Sequence, residues 1–168
     1  MFKKDEDNSV IEFSYTISEI FESASQKSAF NAKNVRDKEG RSLVDQFAIT
    51  TDEKGVFVQG LRSVLPDIFS IILKITTGLD KAYDLDEDKV YFTINDNMGY
   101  NENALSLVDD SIKECLVEGS LMEWYKNCTH ADLLNLYSKS YGMNIEKLFQ
   151  RLFQLRKKAL SATLGEIV

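Results

Sequence analysis

Phe57, Leu61, Val64, Leu65, Ile68, Phe69, Ile72 and Ile75 recur at three- and four-residue intervals, so about six turns of helix carry one continuous apolar stripe. A stripe of that length cannot stay in water, and the rest of the chain must supply elements to cover it. Thr50-x-x-Glu53 opens the helix as a capping box, in which the Glu carboxylate reaches back to the backbone N–H of the Thr. Pro66 lies inside the stripe. It lacks an N–H and crowds the carbonyl four residues back, which predicts a kink or a break near Leu65. Thr76, Thr77 and Gly78 end the run.

Three other segments repeat the helical period. Thr16-x-x-Glu19 is a second capping box, followed by Ile17, Ile20, Phe21 and Ala24 on one face, predicting a helix to about residue 30. The polar stretch NAKNVRDKEG at 31–40 reads as a loop. Leu105, Val108, Ile112, Cys115, Leu116, Leu121 and Trp124 predict a helix over 103–127, with Gly119 a weak or closely packed point. Thr129-x-x-Asp132 is a shorter capping arrangement ahead of a helix at 130–140. A last helix at 144–160 carries Ile145, Leu148, Phe149, Leu152, Phe153 and Leu155, with Tyr141-Gly142 as a tight turn or bend before it.

Between the second and third helices, the acidic turn Asp86-Glu87-Asp88 and the run KVYFTIN predict a β-hairpin at about 81–95. Residues 1–14 alternate weakly through Val10, Ile11 and Phe13, as an N-terminal arm or a strand added to a neighbour. The expected fold is mainly α: four or five helices in a bundle, one inserted β-hairpin and an extended C-terminal helix. The expected organisation is an arm at 1–14, a helical body at 15–143 and a C-terminal docking helix and tail at 144–168.

Composition narrows the function. A chain of 168 residues with 27 acids against 20 bases has a net charge of −7, which argues against gripping phosphate backbones. One His starves metal and acid–base chemistry, and Cys115 and Cys128 lack a CxxC neighbour, so two reduced thiols are expected. No GxSxG, GxxxxGK[ST], GxGxxG or HExxH is present. A Cys128–His130 pair would need a third group to orient the base, and His130 reads instead as a residue of a helix start or the surface. Asp84, Asp86 and Asp88 begin like a calcium loop. Lys89 and Asn95 stand where that loop needs Gly and Glu, leaving a solvated acidic turn. The start MFKKDEDN is charged where a signal peptide is apolar, so no export is expected. The apolar cluster at 64–75 is too short for a bilayer, so no membrane is expected either. No enzyme activity, cofactor or metal is expected.

Charge is unevenly spread. Residues 80–110 hold nine acids and two bases, while residues 139–160 hold six bases and one acid. Two unlike electrical ends suit oriented association with a partner or with copies of the same chain, against the plainer alternative of an ordinary solvated helix face. Phe149, Leu152, Phe153 and Leu155 make a broad apolar stripe beside Arg156, Lys157 and Lys158, of the kind that marks an interface when exposed.

The segments SAFNAK, ITTDEKG, KVYFTIN, LMEWYK and LFQLRKK, in that order over residues 14–160, resemble small virion proteins encoded by tailed phages of gut Bacteroidetes. The helices-plus-hairpin layout is similar to head-to-tail connector proteins, the adaptors that form a neck ring beneath the portal. The resemblance implies a structural virion protein that forms a twelve-fold ring of identical copies and meets the portal protein and the next neck or tail ring. DNA passes through the lumen of such a ring without specific binding. It implies portal docking through Phe149, Phe153, Arg156, Lys157 and Lys158, and a lumen or ring contact for the acidic hairpin Asp84, Asp86, Glu87 and Asp88. The expected location is the virion neck or tail, after assembly in the cytoplasm of the bacterial host. The alternative is a cytoplasmic helical binding module, such as a phage assembly chaperone or an inhibitor of a host factor.

Overall fold

The computed structural model describes residues 2–4, 10–75, 84–86, 88–95, 101–128 and 130–165, with the backbone alone at 3, 4, 75, 84–86, 95, 102 and 156–165. In chain order the elements begin with strands β1 (Phe2–Lys4) and β2 (Val10–Thr16) and helix α1 (Ile17–Ala32). A single-turn helix α2 (Val44–Phe47) and a 3-10 turn (Thr51–Glu53) then lead into α3 (Lys54–Ile75). Strands β3 (Asp84–Asp86) and β4 (Lys89–Asn95) and helices α4 (Glu102–Lys126) and α5 (Ala131–Gly165) complete the series. The molecule is mainly helical, with an inserted hairpin and a 35-residue C-terminal helix.

Both capping boxes form. The Thr16 hydroxyl accepts from the Glu19 N–H at 3.1 Å, and the Glu19 carboxylate accepts from the Thr16 N–H at 3.2 Å. That geometry holds the Glu19 carboxyl below the usual carboxylate range. At the second box the Glu53 carboxylate takes the Thr50 N–H at 3.0 Å.

The hairpin is not a free-standing insert. Its strand β4 pairs antiparallel along its full length with β2, from Val10 opposite Asn95 to Thr16 opposite Lys89, giving the sheet order β1-β2-β4-β3. The segment expected as an arm therefore supplies two strands of the molecule's own sheet. The reason is the pleat: Ile11, Phe13 and Tyr15 alternate inward on β2, as Val90, Phe92 and Ile94 do on β4, and all six are buried in the common core. A two-stranded ribbon could not bury that many side chains alone. The Tyr15 hydroxyl fastens the sheet to α4, donating to the Asp109 carbonyl at 3.0 Å and its carboxylate at 2.7 Å.

Helix α4 is central, touching α1, α3 and α5. Gly60 of α3 lies against Ser120 and Glu123, and Val64 against Gly119, so α3 and α4 run antiparallel at close range. Lys147 opposite Glu114 and Arg151 opposite Leu107 show that α5 also runs antiparallel to α4. A Cβ on Gly119 would stand 2.7 Å from the Tyr141 ring and 2.9 Å from the Val64 side chain, so this glycine is the crossing point of three helices.

Neither α3 nor α5 is divided at the place where a break or a turn was one of the expectations. Helix α3 passes through Pro66 without a break, because Pro66 and Arg62 both face solvent and water can serve the carbonyl that loses its partner. Helix α5 passes through Gly142 in one piece. Tyr141, Leu148, Leu152 and Leu155 continue the buried stripe of Leu133 and Tyr137, and that packing outweighs the roughly 1 kcal/mol cost of a mid-helix glycine.

By length and composition, the helical stretch Val44–Lys74 is apolar enough to cross a bilayer. Its Phe57, Leu61, Val64, Leu65, Ile68 and Ile72 are buried in the protein core.

Candidate functional site

Helix α5 carries the residues expected to dock a partner, and its first two thirds belong to the body. Leu148, Leu152 and Leu155 are fully or almost fully buried, so a docking unit beginning at residue 144 is continuous with the core. Lys147 meets Glu114 at 3.0 Å. Arg151 donates to the Leu107 carbonyl at 2.8 Å and to the Ser111 hydroxyl at 2.6 Å. The Asn101 N–H, at the N-cap of α4, also bonds the Leu155 carbonyl at 3.3 Å. The helix backbone continues through residues 156–165, ten residues or about 15 Å at 1.5 Å each.

Phe149 and Phe153 sit one turn apart, 45% and 52% exposed. Arg156, Lys157 and Lys158 lie on the next turn of the same helix backbone. The basic segment read from the sequence is thus divided. Lys147 and Arg151 are held against α4, while the Arg156–Lys158 positions follow the buried Leu155.

The acidic segment divides as well. Asp84 and Asp86 lie on β3, opposite Tyr91 and Lys89, whereas Glu87 falls outside the described residues. Asp88 is exposed at the tip, and its carbonyl takes the N–H of Ile17, the first residue of α1. The Ser18 hydroxyl donates to its carboxylate at 3.5 Å. An acid at that spot complements the positive end of the helix dipole. Asp109, farther along, is engaged by Tyr15. Among the described residues, no three potential metal ligands come together.

His130 starts α5: its Nδ1 accepts the Leu133 N–H at 3.3 Å, and its ring stands edge-on to Phe47 with centroids 4.7 Å apart. Thr129, expected to cap this helix, lies outside the described residues. The Cys128 thiol contacts the Trp124 carbonyl at 3.8 Å, and burial raises its pKa, the opposite of an activated nucleophile. Both cysteines are free thiols.

Three features escaped sequence reasoning. Glu118, only 7% exposed, is paired with Lys27 of α1 at 2.5 Å, a long-range ion pair with no local signature. Ser28 and Ser25 of α1 bind the backbone of Ile49, fixing the segment that leads into α3. A groove between α3 and α5 is lined by Asp67, Ser70, Lys74, Tyr141, Gly142 and Ile145. The Tyr141 hydroxyl is buried without a hydrogen-bond partner among the described residues. The i, i+3 and i, i+4 spacing of apolar residues signals a stripe but not how much of it the core absorbs, so only coordinates separate Leu152 from Phe153.

No protein-family model, curated protein sequence or solved structure matches the chain.

Proposed function

We propose that the protein is a structural connector of a tailed-phage virion, a neck ring between portal and tail built from twelve identical copies. The observation that carries this proposal is α5, which is anchored in the core as far as Leu155, exposes Phe149 and Phe153, and continues as helix to Gly165, a segment taken in this reading as a projection. A preformed helix binds at lower entropic cost than a segment that must order on contact. In the proposed arrangement the projection meets the portal protein through Phe149, Phe153, Arg156, Lys157 and Lys158. The sheet end, with Asp84, Asp86, Glu87 and Asp88, faces the lumen or the next ring. Negative charge along a lumen repels DNA phosphates and lets the genome pass without specific binding. The function needs no cofactor, metal or membrane. Its expected setting is the host cytoplasm during assembly and the virion afterwards.

Purified particles should contain the chain by mass spectrometry. Deleting 156–168 leaves Leu148, Leu152 and Leu155 in place, so the truncated chain should fold yet fail to enter particles. Absence of the intact chain from clean particles, with the protein found free in lysate, would favour the cytoplasmic binding module instead. Normal infectivity of the truncated phage would refute docking through the projection.

A further inference from the structure

The groove between α3 and α5 encloses about 340 Å³, at the small end of ligand-sized clefts. Asp67, Ser70, Ile71 and Lys74 of α3 form one wall, and Tyr141 and Ile145 of α5 the other. Asp67 and Lys74 are seven residues apart, so just under two turns and about 10.5 Å of helix separate opposite charges along one wall. Both are exposed, and neither enters an ion pair among the described residues. Between them the surface is apolar, with Ile71 buried and Ile145 half-buried. The Ser70 hydroxyl is committed to the Pro66 carbonyl at 2.7 Å. The Tyr141 hydroxyl has no such commitment: the residue is 8% exposed, and its oxygen is buried without a hydrogen-bond partner. Burial, and after it the Asp67 charge, hold this phenol above the ordinary tyrosine range, which places the carboxylate near the hydroxyl.

From this arrangement we infer that the groove binds a small amphoteric ligand, a primary ammonium and a carboxylate joined by a short alkyl stem. The ammonium sits at Asp67, the stem lies over Ile71 and Ile145, and the carboxylate meets Lys74. A buried hydroxyl without a partner is unfavourable, and the Asp67 carboxylate is the charged acceptor that acts on it. Drawing a lone carboxylate out of water to bond that hydroxyl costs more than the bond returns. A ligand ammonium reverses the balance. One Asp67 oxygen then takes the Tyr141 O–H, the other takes the ammonium, and the two charges offset each other. The wall charges select the ligand class. A plain amine makes no use of Lys74, a plain acid leaves Asp67 and the hydroxyl as they are, and an uncharged apolar molecule uses neither end. The inference does not rest on the connector proposal and stands or falls separately from it.

The test uses the full chain with ω-aminohexanoate as the probe and hexylammonium and hexanoate as its two halves, at neutral pH and fixed ionic strength. Amide chemical shifts of Ser70 and Gly142, on opposite walls, report occupancy. The whole probe should move them saturably with a Kd of about 1–10 mM, as suits a small ligand in an open groove, and should bind about fivefold or more tighter than either half. Asp67→Asn should weaken the probe about tenfold and leave hexanoate unaffected. Lys74→Gln should abolish the advantage of the probe over hexylammonium. Tyr141→Phe separates binding from a structural role of the hydroxyl. The free variant should melt at or above wild type, because a partnerless buried group is removed, yet bind the probe about three- to tenfold more weakly. Nα-acetyl-lysine methylamide, with the amine of an interior lysine and no carboxylate, should bind no better than hexylammonium. No saturable shift up to about 100 mM, a half or the lysine amide as tight as the whole probe, unchanged affinity in Asp67→Asn or Lys74→Gln, or a Tyr141→Phe chain that melts below wild type would each overturn the inference.

Discussion

Adding one methyl group at Gly119 should destabilise the protein, although helix propensity alone says the reverse. In a helix interior Ala is favoured over Gly by about 1 kcal/mol. At Gly119 the new Cβ would stand 2.7 Å from Cε2 of Tyr141 and 2.9 Å from Cγ1 of Val64, both closer than real Cβ contacts allow. Neither neighbour can swing away, because Tyr141 is 8% exposed and Val64 1% exposed, each on a packed helix. Relief must come from moving α3 or α5 off α4, and overpacking of this kind costs about 1–3 kcal/mol. The clash is double and falls on two side chains packed in the core, so the upper range applies and the net loss is about 1–2 kcal/mol. For a domain of this size that lowers Tm by about 2–8 °C. Gly142→Ala is the internal control, since its Cβ meets nothing within 4 Å. It should gain about 0.5–1 kcal/mol, or about 1–4 °C. Urea and thermal unfolding followed by circular dichroism measure both. Gly119→Ala at or above wild-type stability would refute the three-helix crossing as the reason for that glycine.

Tyr15→Phe removes two hydrogen bonds to Asp109, one of them to a carboxylate, and should cost about 1.5–3 kcal/mol in urea unfolding; an unchanged midpoint would mean the sheet is not fastened to α4 through this hydroxyl. His130→Ala loses the cap on Leu133 and the edge contact with Phe47, for about 1–2 kcal/mol, and hydrogen exchange should show the first turn of α5 fraying more than its middle. Burial pushes the Cys115 thiol and the Tyr137 phenol each up to about 12, and raises Tyr15, Tyr125 and Tyr141 as well. The unfolded chain then loses these protons first, from about pH 8.5 for Cys and about pH 10 for Tyr, so stability is intact below that range and falls as pH rises toward about 12. The phenolate absorbance of Tyr15, Tyr125, Tyr137 and Tyr141 should therefore appear together with loss of helix signal; ionisation of all seven tyrosines in a protein with intact helices would contradict it.

Local signals carried the helices well. The Thr16 and Thr50 boxes mark their starts because a cap is decided within four residues, and the period of Leu105 to Trp124 locates α4 within a residue or so at each end. The misjudged places turn on partners distant in sequence. β2 looks like a stray arm until β4 lies beside it, and Tyr141-Gly142 looks like a turn until Gly119 receives the Tyr ring. Pro66 looks like a breaker unless its carbonyl partner at Arg62 is known to face water. The C-terminal stripe was visible as apolar residues beside cations. Its division into core residues, an outer pair and cations tied back to α4 was not, because depth of burial is a property of neighbours and not of spacing.

The pairing of β2 with β4 also sets a timetable for folding. Val10 must find Asn95 and Thr16 must find Lys89, and at about 5–20 residues per second the later strand leaves the translating ribosome some 4–17 s after the earlier one. Through that delay Ile11, Phe13 and Tyr15 have only the three-residue β1 beside them. The nascent chain therefore carries a sticky strand with one open edge until its middle is made, and because long-range pairing is slow, closure of the sheet rather than helix growth should limit how fast the folded chain is delivered.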